Sequence, residues 1–320
     1  MKKFNLIILS ILLINCSNNN ENEESNNNNN LNGNIYVVGS EHIYATVWKN
    51  NTSTYLPQGT IINGIFVSNG NVYSCGNYGN TAKYWVNNSV YPLTDGSKSA
   101  EATSIYVNNN DVYVSGYDGY IAKYWKNGVA TNLSNASSVS VANSIFFSGN
   151  DIYVAGYSKP NSSSWSCTSK IWKNGIASNL TNGSNNSSAN SIFIKNNDVY
   201  AAGFEGFYAK YWKNGIAFNL TNGVNYAQAT SIFIDNNDVH IVGYEQITNN
   251  HIIAKYWKNG VATNLTDGST AATATGVFVK NGDVYISGDE GNITKYWKNG
   301  VSIAISNGNF VTESKGIFVQ

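Results

Sequence analysis

Charge is the first scarcity. Lysine plus arginine number 19, aspartate plus glutamate 19, and together they make 12% of a 320-residue chain with zero formal net charge. Phosphate binding needs a basic face, so this balance argues against nucleic acid as a partner. Proline is equally sparse at 3, against many Asn-Gly pairs, which favours short strands joined by tight turns over other folds. No HExxH, Walker loop or nucleophile elbow occurs, and the 3 histidines are scattered, so none of these catalytic constellations is offered. The apolar run from Phe4 to Ile14 is too short to cross a bilayer as a helix, whose core is roughly 30 Å thick. What the chain does have is aromatics: 13% of residues, with 22 Tyr and 8 Trp, enough for a large core and against disorder beyond the N-terminus.

The leader "MKKFNLIILSILLINC" places two lysines before the apolar run and Cys16 after it. Residues 1–15 read as a secretory signal peptide. "LINC" (Leu13 to Cys16) resembles a bacterial lipobox, which implies lipidation of Cys16 as the new N-terminus. Several acyl chains, at roughly 0.8 kcal/mol per buried methylene, make a stable anchor. Residues 16–33 are polar, acidic and without apolar period, and are expected to be a flexible tether. Low arginine, abundant Asn and Lys and this Ser/Asn/Glu leader resemble lipoproteins of AT-rich Bacteroidota. That resemblance implies a lipid-anchored protein of the outer membrane or cell surface.

From Asn34 onward four short apolar segments recur in fixed order. Segment a begins with a small residue (Gly64, Ser104, Ser144, Ser191, Ser231, Gly276, Gly316). Segment b ends in glycine (Gly39, Gly76, Gly116, Gly156, Gly203, Gly243, Gly288). Segment c carries tryptophan (Trp48, Trp85, Trp125, Trp172, Trp212, Trp257, Trp297), and segment d ends in Leu or Ile. Each segment is β-branched, aromatic and bounded by Asn, Gly or Asp, the signature of a strand. Turns such as Asn69-Gly70 and Asn127-Gly128 suit type I′ hairpins, whose two central residues need positive φ. Four strands in about 40 residues read as a propeller blade. The domain enters on a b segment and leaves on an a segment, so Gly316 to Gln320 are expected to complete blade 1. The fold class predicted for residues 34–320 is all-β: a closed seven-bladed β-propeller with four antiparallel strands per blade.

The run Ala-x-x-Trp-x-x-Gly, a following Leu, a hydrophobic pair and Val-x-Gly resembles the HAF-type bacterial extracellular repeats over most of residues 34–320. The resemblance implies an exported repeat protein and carries no catalytic residues to transfer.

Spacing between segments is nearly constant, and every exception falls in a b–c or d–a connection. The d–a distance is eleven residues, but eight after blade 1; b–c is nine, but sixteen in blade 4 and fourteen in blade 6. Those connections share one rim, which is the natural ligand face, because loops vary where function does. Blade 4's insertion holds Trp165 and Cys167, and blade 6's holds His251. An exposed Trp165 would stack a sugar or anchor a protein; the alternative is that it covers its own loop. Tyr117, Tyr157, Phe204 and Tyr244 follow the b glycine in blades 3 to 6 and either form an aromatic sector or pack between blades. Glu41, Asp118, Glu205, Glu245, Asp289 and Glu290 either make an acidic rim or pair with lysines. Lys83, Lys123, Lys170, Lys210, Lys255 and Lys295 recur two residues before tryptophan and make either a structural contact or a positive ring. Cys75 and His240 read as core, and a Cys75–Cys167 disulfide is not expected, since two blades separate them.

The expected function is a lipid-anchored, non-enzymatic binding module that takes a glycan or protein on the loop face, with no cofactor and no metal. Trp165, Tyr117, Tyr157, Phe204, Tyr244, Glu205 and Glu245 are the candidate ligand-binding residues. The alternatives are a polysaccharide lyase or hydrolase using rim carboxylates, and a structural subunit of an envelope complex.

Overall fold

The computed structural model describes residues 33–248 and 251–320. The signal peptide, the lipidation residue Cys16 and all of the tether but Gly33 lie outside the described residues. Within them the chain forms seven four-stranded antiparallel sheets and no helix. Six sheets run a-b-c-d in chain order. In the seventh, strand Thr312–Val319 pairs with Ile35–Glu41, so the C-terminal strand is the inner strand of blade 1. The protein is a closed seven-bladed β-propeller, as the order of segments predicts. Each a strand neighbours the a strands of the blades on either side, including Thr312–Val319 against Ile61–Ser68, so the a strands surround the axis.

Each element of the repeated phrase has its own physical cause. The seven segment tryptophans are 1% exposed or less, the largest fully buried side chains of the ring. The indoles of blades 2 to 7 pack between blades rather than inside one: Trp172 of blade 4 lies with Ala122 and Leu133 of blade 3. The residue three positions before each tryptophan (alanine in five blades, Ser169 and Thr294 in the others) is therefore small because the next blade's indole needs the space. Lys126 pairs with Asp111 at 2.7 Å, and the Asn127 amide donates to the same carboxylate at 2.7 Å. The Asn127 carbonyl also accepts from the Val112 backbone N–H, at 2.8 Å. Asn127 and Gly128 have φ of 49° and 83°, as the turn type requires. The asparagine thus turns one hairpin and caps the neighbouring one, and the same arrangement recurs at Asn174, Asn214, Asn259 and Asn299.

The b-strand glycine answers to a bulge. In every blade the register of strand a shifts by one residue opposite that glycine, as between Ala102 and Ser104 in blade 3. A Cβ at Gly116 would sit 1.9 Å from the Glu101 carbonyl oxygen, so no side chain fits. The extra residue of the bulge reaches into the next blade: Thr103 donates to the Ala142 carbonyl at 2.5 Å, and Asn143 to that of Ala189 at 3.0 Å. Six blades are stitched to their neighbours this way; in blade 1 the bulge residue is Lys315, which turns instead to Glu313.

Candidate functional site

The axial cavity holds about 210 Å³ and is lined by the small a-strand residues and the bulge residues. Its floor is a feature that segment-by-segment reading misses. Phe66, Tyr106, Phe146, Phe193, Phe233, Phe278 and Phe318 form a closed collar around the axis, with neighbouring ring centroids 4.8–5.3 Å apart. One aromatic per a strand is plain in the sequence, but that seven of them meet requires the ring. The collar lies toward the a–b hairpins, so the cavity opens toward the b–c and d–a loops.

Around that opening the b-strand aromatics stand opposite the first residues of the a strands: Tyr117 faces Glu101, Tyr157 faces Val141, Phe204 faces Ser188 and Tyr244 faces Gln228. The structure brings Tyr157 and Phe204 together on a cleft of about 250 Å³ between blades 4 and 5, with Asn143, Ser188, Asn190 and Cys167 as its polar lining. Tyr226, unmarked by the sequence, continues the aromatic run at 6.0 Å from Phe204 and 6.4 Å from Tyr244. Tyr117 lies at the other end and donates its hydroxyl to Glu101 at 3.0 Å. Burial, with the Glu101 carboxylate second, pushes the Tyr117 phenol up to about 12. Burial and then Tyr226 push Tyr244 to about 12. Both hydroxyls therefore keep their protons at neutral pH; that of Tyr117 is given to Glu101, and that of Tyr244 can donate to a ligand.

Trp165 is on the loop 160–167, two residues before Cys167, which lines this cleft. It does not fold back: its surface is 94% exposed. The loop is held by its own bonds, with Ser163 N–H donating to the Asn161 side chain at 3.0 Å and Lys159 to the Ser162 carbonyl at 3.2 Å. Blade 6's insertion behaves differently from the expected loop. It lengthens the b–c hairpin, with Glu245 paired to Ile253 and Thr248 to His251. Its alternating β-branched residues extend the ladder, whereas the Ser-rich insertion of blade 4 has none to do so.

The acids and lysines of this rim are largely each other's partners. Lys123 meets Asp118 at 2.8 Å, Lys210 meets Glu205 at 2.5 Å, Lys255 meets Glu245 at 2.9 Å, and Lys295 meets Glu290. For Glu245 burial works upward, but hydrogen bonds from Lys255 and Asn225 outweigh it and hold the carboxyl below its usual value. Where no acid is available, Lys83 donates to Gln58 at 3.1 Å and Lys170 to Asn179 at 2.6 Å. The recurrent lysine is a structural contact, and Glu205 and Glu245 are spoken for. Asp289 leaves the rim altogether. It is buried, takes a hydrogen bond from Thr294 at 2.7 Å and accepts the Ser314 N–H at 2.8 Å, tying blade 7 to the closing strand. Cys75 is buried, both described cysteines are free, and His240 is buried against Tyr256 at 2.7 Å.

No family model and no curated protein sequence matches the chain. Among solved structures it is similar to Pyrococcus horikoshii acylaminoacyl peptidase, at 12% identity and a TM-score of 0.51, over 86% of this chain and 50% of that one. It therefore spans half the length of the peptidase. A chain of the nidogen/laminin complex is also similar, at 9% identity and a TM-score of 0.48, over 89% of this chain and 98% of that one. At such identities the likeness to the peptidase is one of fold, and it agrees with the strand order seen here: the chain is a β-propeller.

Proposed function

We propose that this protein is a binding module whose loop face takes a glycan, held at the cell surface or outer membrane by a lipid on Cys16. The observation that carries the reading is Trp165, 94% exposed on the loop whose Cys167 lines a cleft with Tyr157, Phe204 and the amides and hydroxyls of Asn143, Ser188 and Asn190. Aromatic faces accept the apolar face of a sugar ring, and fixed amides and hydroxyls accept its hydroxyls. The pairing of the rim acids with lysines on their own blades supports binding over hydrolysis. Glycoside hydrolysis uses two carboxyl groups about 5–10 Å apart across one bond, with one of them free to carry a proton. Asp118, Glu205, Glu245 and Glu290 are each on a separate blade and each engaged.

The test is a glycan array probed with the protein. Trp165→Ala is expected to weaken binding about tenfold or more, equivalent to about 1.4 kcal/mol, with the fold unchanged. A blank array from folded protein would rule out the glycan reading and turn the search to a protein partner by membrane pull-down. The anchor has its own test. Cys16→Ala is expected to move the protein from the membrane to the soluble fraction; retention in the membrane would dismiss lipidation.

A further inference from the structure

The shortened connection after blade 1 leaves a groove at a position where four of the other six d–a loops bond to the b–c turn. In blades 1, 3, 5 and 7 the b–c turn donates a backbone hydrogen bond to the d–a loop arriving from the previous blade. These bonds are His42 to Val311, Gly119 to Ser99, Gly206 to Asn186 and Gly291 to Ala271, all 2.8–2.9 Å. Blade 2 receives a connection three residues shorter, Leu56 to Gly64, whose Thr60 N–H bonds instead to Asn77 at the end of strand b. The uncovered space is a groove of about 810 Å³ with ten lining residues. Tyr44, Tyr55 and Tyr78 present themselves to it at 49%, 51% and 53% exposure.

We propose that this groove is a second carbohydrate site, separate from the blade 4–5 cleft and selective for a neutral sugar. Four observations converge. The walls are tyrosine rings, with Tyr44 and Tyr55 at a 5.2 Å centroid distance, and aromatic faces suit the C–H face of a pyranose. The nearby charges are already used: Lys83 donates to Gln58 at 3.1 Å and lies 5.0 Å from the Tyr78 ring centre, and Glu41 accepts from Tyr55 at 3.0 Å. Lys83 has no acid partner but is only 6% exposed, out of an anionic ligand's reach, whereas a hydroxylated neutral one meets the Gln58 amide and the tyrosine hydroxyls. The floor is rigid. Trp85 donates to the Pro57 carbonyl at 2.9 Å, and a Cβ on Gly59 would come within 2.7 Å of Ala45. Gln58 is held at a φ of 51°, a conformation that persists only where its surroundings impose it. Finally, the size suits a small ligand: the volume lies within the roughly 300–1,000 Å³ of such sites, while ten residues are well short of the ≈ 20–30 per side of a stable protein interface.

The groove stands whether or not the blade 4–5 cleft binds, and one experiment separates them. The full-length chain, Tyr78→Ala, Tyr44→Ala and Trp165→Ala are applied to the same array of purified oligosaccharides, each first matched to the parent in melting temperature. A fourth variant lengthens the Leu56–Gly64 connection by three residues, to the length of the other d–a loops, and leaves every tyrosine in place. The expected result is a set of neutral glycans whose binding falls at least tenfold in both tyrosine variants and in the lengthened-loop variant. Glycans lost with Trp165→Ala alone belong to the cleft. The proposal is overturned if the array is blank, if every signal survives the groove variants, or if only acidic glycans depend on them. If Tyr78→Ala fails to fold, Tyr44→Ala and the lengthened loop decide by the same criteria.

Discussion

A chain ending at Val311 is expected to lose cooperative folding. The missing strand Thr312–Val319 supplies the inner strand of blade 1, paired along Ile35–Glu41. It buries Ile317 and Val319, each contributing roughly 1.5–3 kcal/mol, and Phe318 closes the aromatic collar between Phe66 and Phe278. Against a domain stability of about 5–15 kcal/mol, losing these together with a strand ladder removes most of what holds the ring shut. Thermal unfolding followed by circular dichroism checks this. A single sharp transition within a few degrees of the full chain would mean that the seam is dispensable. Asp289→Ala is a smaller version of the same cut, since it leaves the Ser314 N–H and the Thr294 hydroxyl without their acceptor. The expected cost is about 1–3 kcal/mol. Its pH dependence has a definite sign. Burial pushes the Asp289 carboxyl above its usual value, with hydrogen bonds from Thr294 and Ser314 opposing. A carboxyl raised in the folded state contributes fully below its unfolded pKa and loses that contribution as pH rises through the folded one. The cost of Asp289→Ala is therefore expected to grow as pH falls. Asp111 behaves oppositely: hydrogen bonds from Lys126 and Asn127 lower its pKa, so its contribution is present at neutral pH and disappears on acidification.

Trp125→Ala is expected to destabilise by about 3–5 kcal/mol, because a buried indole leaves a cavity that neighbouring strands cannot collapse into. Trp125 is 1% exposed and packs with Cys75, Ala82 and Ala102, so the void would open between blades 2 and 3. Trp165→Ala changes the same residue type at a 94% exposed position and is expected to shift stability by no more than about 0.5 kcal/mol. Urea unfolding of the two variants decides. Equal losses would show that the blade 4 loop packs onto the ring, and would remove the basis for reading Trp165 as a ligand group.

How much was legible follows from which interactions are periodic. Strand order, blade number and closure by the last segment were readable, because the hydrophobic alternation and the Asn-Gly turns are local and repeat seven times. The b glycine was visible as a marker, but its reason, a bulge in the strand beside it, was not. The recurrent lysine could be read as contact or as ring; only the positions of Asp118, Glu205, Glu245 and Glu290 decided for contact. The aromatic sector was half legible. Tyr157 and Phe204 share a cleft, but Tyr226 joins them from strand a of the next blade, where the b-strand pattern gives no signal. The tyrosine groove left one trace, the eight-residue spacing after Leu56, which marks a missing loop without naming what it uncovers.

By itself, then, the sequence determined everything that depends on neighbours along the chain: hairpins, turn residues, the face of each strand and the count of blades. Tertiary structure alone decided what depends on neighbours around the ring. It decided that an indole fills the gap left by a small residue of the preceding blade, that Asp289 latches the seam rather than lining the rim, that Trp165 stands in solvent, and that three tyrosines from two blades face one groove. The physical reason is distance. Side chains about 40 residues apart meet only after the ring closes, and their contact energies leave no period for a sequence to display.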